Sequence, residues 1–239
     1  MSIFGSLEHS THISWVIWSS LFCAALIVLT GFLVRRRLAA TNGGVIPDDG
    51  FSFRNAIEML VDMLAGLARD NMGPKWRNYF PMIGTIFFFI LISNWIGLIP
   101  GIDGATSDAN TTWAWATISF VAHQYVGIKE NGWHYLYHFM GPVLFDVNLF
   151  GKTFHIRPLA PLYAVIELIG HVSRVFTLAV RLLANMFADH TVVGVWIMLV
   201  PVVLPAIFMG MGVLVAFLQA YVFAMLSMIY IGLAVADDH

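Results

Sequence analysis

Long hydrophobic runs alternate with short polar segments along this chain, and the lengths of the runs predict its elements. Residues 13–34 and 80–100 are almost entirely apolar. A helix needs about 20 such residues to cross about 30 Å of hydrocarbon, so each run predicts a membrane-spanning helix. Three more segments of this kind occupy 112–138, 158–200 and 202–236. We therefore expect five membrane-embedded helices.

The segment 53–72 has a different pattern. Its apolar side chains recur at helical spacing, and five charges lie among them: Arg54, Glu58, Asp62, Arg69 and Asp70. That many charges disfavour a spanning helix, so we expect an amphipathic helix lying in the membrane interface. The expected fold is an all-α polytopic membrane protein, with one membrane domain over 1–239 and the last two helices forming a long, strongly tilted hairpin.

Composition agrees with a lipid environment. Of the 239 residues 59% are hydrophobic and only 11% are charged, whereas soluble domains carry about 25% charged residues. The net charge of −2 gives no reason to expect a nucleic-acid partner. The single cysteine, Cys23, has no partner for an internal disulfide. The N-terminal residues lack the features of a cleaved signal, so none is expected.

The distribution of basic residues predicts the topology. Ten of the twelve Lys and Arg residues fall in 35–79 and 129–157, whereas the loop 101–111 carries two aspartates and no base. The positive-inside rule places the two basic segments in the cytoplasm. The N-terminus and the loop 101–111 are then outside and the C-terminus is inside. Only Arg174 and Arg181 remain, and both lie within an apolar segment.

These two arginines belong to the segment 158–200, which begins after Pro158 and ends at Pro201. A single helix of this length would be about 60 Å long at 1.5 Å per residue. Because its last turns, 192–200, are apolar, an upright helix projecting into water is disfavoured. We expect a helix that stays in the membrane with a tilt near 60°, well beyond the usual value of about 20°.

Six polar residues of this helix form a stripe on one face, since they are spaced by 4, 3, 7, 4 and 4 positions: Glu167, His171, Arg174, Arg181, Asn185 and Asp189. An ionisable residue at bilayer depth costs about 3 kcal/mol on insertion scales and faces protein or water. An ion-pair network is a sufficient explanation for the first three. Arg181 has no acid on its own turn, which favours a carboxylate supplied by another chain.

The last helix carries few polar side chains, and Gln219 lies near its middle. An antiparallel hairpin that turns at 201–205 places Gln219 at the level of Leu183. We therefore expect Gln219 to hydrogen-bond near Arg181 or Asn185; a structural amide hydrogen bond is the alternative.

The sequence RLLANMFADH at 181–190 resembles the signature of subunit a of F-type ATP synthases. Three other segments resemble the marked segments of that family, in the family's order: NWIGLIPG at 94–101, TSDANTT at 106–112 and LQAYVFAMLSMIYI at 218–231. The resemblance covers nearly the whole chain. It implies the ion-channel stator of a rotary machine, which is not catalytic alone and needs no cofactor.

The partners implied by the resemblance are the c-ring subunits, subunit b of the peripheral stalk, the remainder of the ATP synthase and the lipid membrane. The implied location is a bacterial plasma (inner) membrane, and protons are favoured over sodium. By the same resemblance, Arg181 faces the ring carboxylate, and Asn185 and Gln219 match positions near it. Glu167 and His190 match positions assigned to the outer half-channel.

The chain departs from the family pattern at two places. Gly212 stands where the family often has an acid or a histidine, and Asp189 stands where a small residue is usual. Our hypothesis is that Asp189 and His190 together supply a titrating pair that other members share between two helices. Histidine suits such a relay because it titrates near neutral pH.

Weaker signals leave alternatives open. His134 and His138 share a helix face, but they lie in an aromatic segment typical of a membrane interface, so we expect no metal site. Asp108 either helps to form the outer entrance or caps the following helix. The alternative function is a proton-coupled secondary transporter, which would predict inverted repeats and broken helices that the sequence lacks. A membrane metalloenzyme would need clustered histidines, and the nine here are scattered.

Overall fold

The computed structural model describes residues 4, 6, 8, 14–40, 52–132, 145–149, 152–156, 160–199 and 203–236. Six long helices follow one another: α1 (Trp15–Ala40), α2 (Phe53–Met72), α3 (Trp76–Gly97), α4 (Ala109–Asn131), α5 (Ala160–Leu199) and α6 (Val203–Ala236). Short 3₁₀ turns at Gly73–Lys75 and Ala105–Ser107 join α2 to α3 and precede α4. The segment expected to form one long helix over 158–200 is α5, which is unbroken over 40 residues.

A short β-hairpin is the element that the sequence pattern did not predict. Strands β1 (Phe145–Leu149) and β2 (Lys152–Ile156) pair antiparallel, with Phe145 opposite Ile156 and Leu149 opposite Lys152. The hairpin lies in the basic segment 129–157, beyond residue 138, where the expected helix 112–138 ends. The expected all-α fold is therefore confirmed for the membrane helices, and the short hairpin is an addition to it. His134 and His138 lie outside the described residues.

Four helical stretches within the described residues are long and apolar enough to cross a membrane: Trp15–Arg36, Phe53–Gly97, Val165–Leu199 and Val203–Val235. The chain is a multi-pass membrane protein. The second stretch contains both α2 and α3, which are separated at Gly73, where φ is 63°. Helix α4 has more polar side chains than these four, and it packs against both α5 and α6.

Helix α6 is the centre of the bundle, because it contacts α2, α3, α4 and α5. Its buried side chains Phe223 and Met228 join Phe87 and Ile90 of α3 and Leu182 of α5 in one apolar cluster. In lipid, helices gain little from hydrophobic burial, so close van der Waals packing and interhelical hydrogen bonds determine which faces meet. The packing of α6 therefore fixes the position of α5, which carries the polar stripe.

One end of the bundle, which we call the loop end, is formed by residues 97–108. Thr106 is fully buried there; its Oγ1 donates to Oδ1 of Asn94 over 2.6 Å, and its backbone N donates to Oγ of Ser93 over 3.0 Å. Gly104 lies so close to the main chain of α3 that a Cβ would collide with the carbonyl oxygen of Ser93. These contacts fold the loop back onto α3 before α4 begins.

The opposite end of α3 and α4, which we call the basic end, is held by charged and polar contacts. Nζ of Lys75 forms an ion pair with Oε2 of Glu130, and the hydroxyl of Tyr79 donates to Oε1 of the same carboxylate over 2.7 Å. Glu130 at the end of α4 thus binds Lys75 of the 3₁₀ turn and Tyr79 in the first turn of α3. Gly232 of α6 lies nearby in the bundle, against the carbonyl of Asn71 at the end of α2.

Substitution of Gly232 by alanine is expected to destabilise the folded protein, because the added Cβ would collide with the carbonyl oxygen of Asn71. Overpacking of this kind costs about 1–3 kcal/mol. The measurement is the free energy of unfolding of the purified chain in detergent micelles. Gly210→Ala, in the same helix but with nothing within 4 Å of the new Cβ, is the control. Equal stability of the two variants would contradict the packing of α6 on α2.

Candidate functional site

Arg181 lies near the middle of α5 and is only partly accessible. Its Nη2 atom is buried and has no hydrogen-bond partner among the described residues. No aspartate or glutamate of the described part of the chain forms an ion pair with it. A buried cation without a carboxylate is costly in lipid, so the guanidinium retains an unused capacity to bind an anion.

The local sequence of α5 explains where this guanidinium lies. Leu178, Leu182 and Met186 are all buried and follow one another at intervals of four residues, so they form a ridge that packs into the bundle. Arg181 and Asn185 are three residues beyond Leu178 and Leu182, which places them at the edge of the buried face. They are consequently presented at the boundary of the chain rather than inside its own core.

Towards the basic end, the first residues of the polar stripe meet a histidine of α4. Nε2 of His171 lies 3.3 Å from Oε1 of Glu167, one helical turn earlier. The buried His171 ring lies 6.0 Å, centroid to centroid, from the ring of His123. Arg174 is not paired with Glu167; its Cζ lies 4.6 Å from the ring centroid of Tyr230 on α6. Three helices therefore contribute to this group.

We call this group the α4–α5–α6 cluster and define it as Glu167, His171 and Arg174 of α5, His123 of α4 and Tyr230 of α6. Sequence analysis had identified only its α5 members. His123 interrupts an apolar run, and that interruption was the signal that could have marked it. Tyr230 gave no such signal, because tyrosine is common in membrane helices.

At the loop end, a cavity of about 150 Å³ lies between α5 and the loop. It is lined by Gly97, Leu98, Ile99, Pro100, Gly101, Ile102, Asp103, Asp189, His190, Val193, Gly194 and Ile197. Three of these side chains can titrate: Asp103, Asp189 and His190. Nε2 of His190 is buried without a hydrogen-bond partner among the described residues, so the site has an unused polar group.

Asp103 was not singled out from the sequence, since an exposed loop carries acids commonly. Its position follows from α1, where Oγ of Ser19 donates to the backbone oxygen of Asp103 over 2.8 Å. Gly212 is explained by the same loop: a Cβ at this position would lie 2.6 Å from Cδ2 of Leu98. The side chain of Leu98 fills the space that a side chain at position 212 would occupy.

Of the two alternatives for Asp108, the structure contains the helix cap: its Oδ1 accepts from the backbone N of Asn110 over 2.7 Å, and Asp108 does not line the loop-end cavity. No hydrogen bond joins Gln219 to Arg181 or Asn185 among the described residues.

The resemblance assigned Glu167 and His190 to one half-channel. In the structure they lie in separate polar groups, the α4–α5–α6 cluster and the loop-end cavity. The two residues are 23 positions apart on the unbroken helix α5, which corresponds to about 34 Å at 1.5 Å per residue.

Comparison with known proteins identifies the family. The sequence model described as "ATP synthase A chain" matches residues 16–232. The chain belongs to this family. "ATP synthase subunit a" of Bdellovibrio bacteriovorus is 41% identical over 210 residues, which is 87% of this chain and 86% of that protein. "ATP synthase subunit a 1" of Syntrophotalea carbinolica is 40% identical over 238 residues, 99% of this chain and 89% of that protein.

A third relative, "ATP synthase subunit a" of Trichlorobacter lovleyi, is 39% identical and covers 98% of this chain. The family match includes α5, α6 and the loop end, so it covers both polar groups described above. Membership in the ATP synthase A chain family is not what the alternative, a proton-coupled secondary transporter, would predict. No group of three or more potential metal ligands occurs in the described part of the chain.

The loop-end cavity is expected to contain water, because three titratable side chains line it. Val193→Cys, on the cavity wall, should therefore react with a charged, water-soluble thiol reagent added to the loop side of the membrane. Val195→Cys is the matched control, since the side chain of Val195 is 49% exposed on the outer surface of the same helix, towards lipid or another subunit. The native Cys23 is fully buried and should give little background. Equal labelling at 193 and 195 would contradict an aqueous cavity.

Proposed function

We propose that this chain is the proton-translocating stator subunit of a rotary F-type ATP synthase, with Arg181 facing the carboxylate of a rotating c-ring. The family and its relatives' names support the assembly. The single observation that carries the proposal is the guanidinium of Arg181, which is partly buried and has no acidic partner in the described part of the chain. A ring of subunits, each with one carboxylate at membrane depth, would supply that partner.

The required chemistry is the repeated ionisation of a carboxylic acid in lipid. A unit cation about 4 Å away stabilises the carboxylate by ~4 kcal/mol at an effective dielectric constant of ~20. Because each 1.4 kcal/mol changes an equilibrium constant tenfold, the cation favours the ionised form of the carboxylic acid about a thousandfold. The proton therefore leaves into one half-channel as each ring subunit reaches Arg181, and the carboxylate takes up a proton from the other half-channel before the subunit moves into lipid.

Arginine suits this position better than lysine does. Its guanidinium stays charged under all physiological conditions, whereas a buried ammonium can lose its proton. A neutral side chain at 181 would no longer separate the two sides of the ring, so protons could pass without turning it. The guanidinium is also planar, so it can donate two parallel hydrogen bonds to the two oxygens of a carboxylate.

We assign the two half-channels to the two polar groups on either side of Arg181. His190 is nine residues beyond it and Glu167 is fourteen before it, which correspond to about 14 Å and about 21 Å of helix. The loop-end cavity with Asp189 and His190 is the outer half-channel, and the α4–α5–α6 cluster is the inner one. Each proton that crosses a potential of 100 mV delivers about 2.3 kcal/mol to rotation.

The remaining assignments follow from this role. The chain is not catalytic alone, and it works with c-ring subunits, subunit b and the remainder of the ATP synthase. Its location is the bacterial inner membrane, with the N-terminus and the loop end outside and the C-terminus in the cytoplasm. Asn185 lies one turn from Arg181 and lines the same contact with the ring, as does Gln219.

Replacement of Arg181 by alanine or lysine is expected to abolish ATP-driven proton pumping without preventing membrane insertion. The reason is that neither side chain holds a fixed, planar positive charge opposite the ring carboxylate. The measurement is acidification of inverted membrane vesicles on addition of ATP, with co-purification of the other subunits as the assembly control. Normal pumping in Arg181→Ala would refute the proposal.

Replacement of Asp189 by alanine is expected to lower proton flux by about 100-fold, the lower range for loss of a positioned proton-transfer group. The matched control is Asp70→Asn, which removes an exposed acid from α2. Passive proton conduction through the membrane sector, measured after removal of the nucleotide-binding part, gives the rate directly. Undiminished flux in Asp189→Ala would remove Asp189 from the outer half-channel.

A further inference from the structure

His123 is a buried titratable residue of the α4–α5–α6 cluster to which the proposed function gives no individual role. It lies on α4 with 7% of its surface exposed, among side chains of α5 and α6. Its ring centroid is 6.0 Å from that of His171, 6.1 Å from that of Tyr230 and 6.5 Å from that of Phe120. No hydrogen bond joins its ring nitrogens to any other described residue. A buried imidazole in this state requires water or a proton-exchanging neighbour.

A small cavity supplies the place for that water. It has a volume of about 10 Å³ and is lined by Ser119, Phe120, His123, Arg174, Val175, Leu178 and Tyr230. A volume of about 10–15 Å³ holds one water molecule when several polar groups surround it. The Ser119 hydroxyl, the guanidinium of Arg174 and the phenol of Tyr230 provide those groups, so one ordered water fits this site.

The two neighbours of His123 lie in different directions along α5. The cavity adjoins Arg174 and Leu178, which are on the side of Arg181. His171 and its partner Glu167 are on the side of the basic end. Glu167 is the more accessible of this pair, with 36% of its side chain exposed against 6% for His171. His123 therefore stands between the cavity and the pair.

We propose that His123 is a proton-carrying residue of the inner half-channel, linking the water cavity beside Arg174 to His171 and Glu167. The proposal rests on the proposed function, in which that cluster is the inner half-channel. In the direction of ATP synthesis, the cavity water accepts the proton released by the ring carboxylic acid and gives one of its own protons to one imidazole nitrogen of His123, so that it remains water. His123 then releases a proton to His171, and His171 passes one to Glu167, which exchanges with solvent.

Charge is conserved at each step, since one N–H or O–H bond forms as another breaks. Among the described residues, the titratable and charged groups that face His123 are His171 and Arg174 from α5 and Tyr230 from α6. Because like charges repel, His123 and His171 do not both hold an extra proton beside Arg174. A single mobile proton is thus passed between them, and imidazole suits this role because one ring nitrogen can accept a proton while the other releases one.

The test uses inverted membrane vesicles that contain the assembled complex, with passive proton conduction measured after removal of the nucleotide-binding part, as for Asp189→Ala. His123→Gln keeps a polar side chain of similar size but removes a group that can accept and release a proton. We expect passive proton conduction to fall by about 100-fold and its dependence on pH to change. Co-purification of the other subunits verifies assembly, and His123→Asn gives the same test should the glutamine variant not assemble.

Two controls separate a proton-carrying role from a packing role. Tyr125→Phe alters α4 two residues away, at a side chain that is 63% exposed, and should leave conduction and its pH profile unchanged. The double variant His123→Gln, His171→Gln should be no slower than the slower single variant, because residues that carry the same proton in series are not additive.

Conduction within about twofold of the unmodified protein in His123→Gln, with the same pH profile, would overturn the inference, as would losses that multiply in the double variant. The twofold limit is small beside the effect expected for a proton-transfer group. Such a result leaves the role of Arg181 intact, because Arg181→Ala is measured separately as loss of coupled pumping. Normal pumping in Arg181→Ala would instead refute the proposed function itself.

Discussion

A positive charge that no acid of the described residues neutralises is the constraint to which this bundle is adapted. Arg181 can be kept at membrane depth only if its surroundings hold it at a boundary where an anion can approach. The ridge of Leu178, Leu182 and Met186 is buried where α5 packs on α4 and α6, and this packing leaves the guanidinium at the edge of the buried face. The remaining helices position that edge.

The loop end shows how small residues serve this purpose. Gly97 and Gly104 approach each other closely, and Met186 of α5 packs against Gly97. The loop can then fold under α5 and form one wall of the cavity that contains Asp189 and His190. Close backbone approach of this kind is the usual means of tight association in membranes, where hydrophobic burial contributes little. Here the close approach of the two glycines also shapes the polar loop-end cavity.

Two polar groups separated by an apolar ridge suit a path that must not be continuous. A continuous chain of water between the loop end and the basic end would dissipate a proton gradient. In this structure the polar groups lie on opposite sides of Arg181 along α5, and Leu182 and Met186 are buried between them. The same buried residues, Leu182 and Met186, therefore both anchor α5 and separate its two polar groups.

The sequence alone determined the membrane environment, the helix lengths and the polar stripe, because these depend on hydrophobic run length and on the 3.6-residue period. It also identified Arg181 as a candidate, since the sequence itself shows that no aspartate or glutamate lies on the same helical turn. It could not determine which faces meet. His123 and His171 are 48 residues apart, and Asp103 and Asp189 are 86 apart, so only the packing of α4, α5 and the loop brings them together. Gln219 forms no hydrogen bond to Arg181 among the described residues for the same reason: periodicity locates a face of a helix, whereas the partner of that face is chosen by close packing in three dimensions.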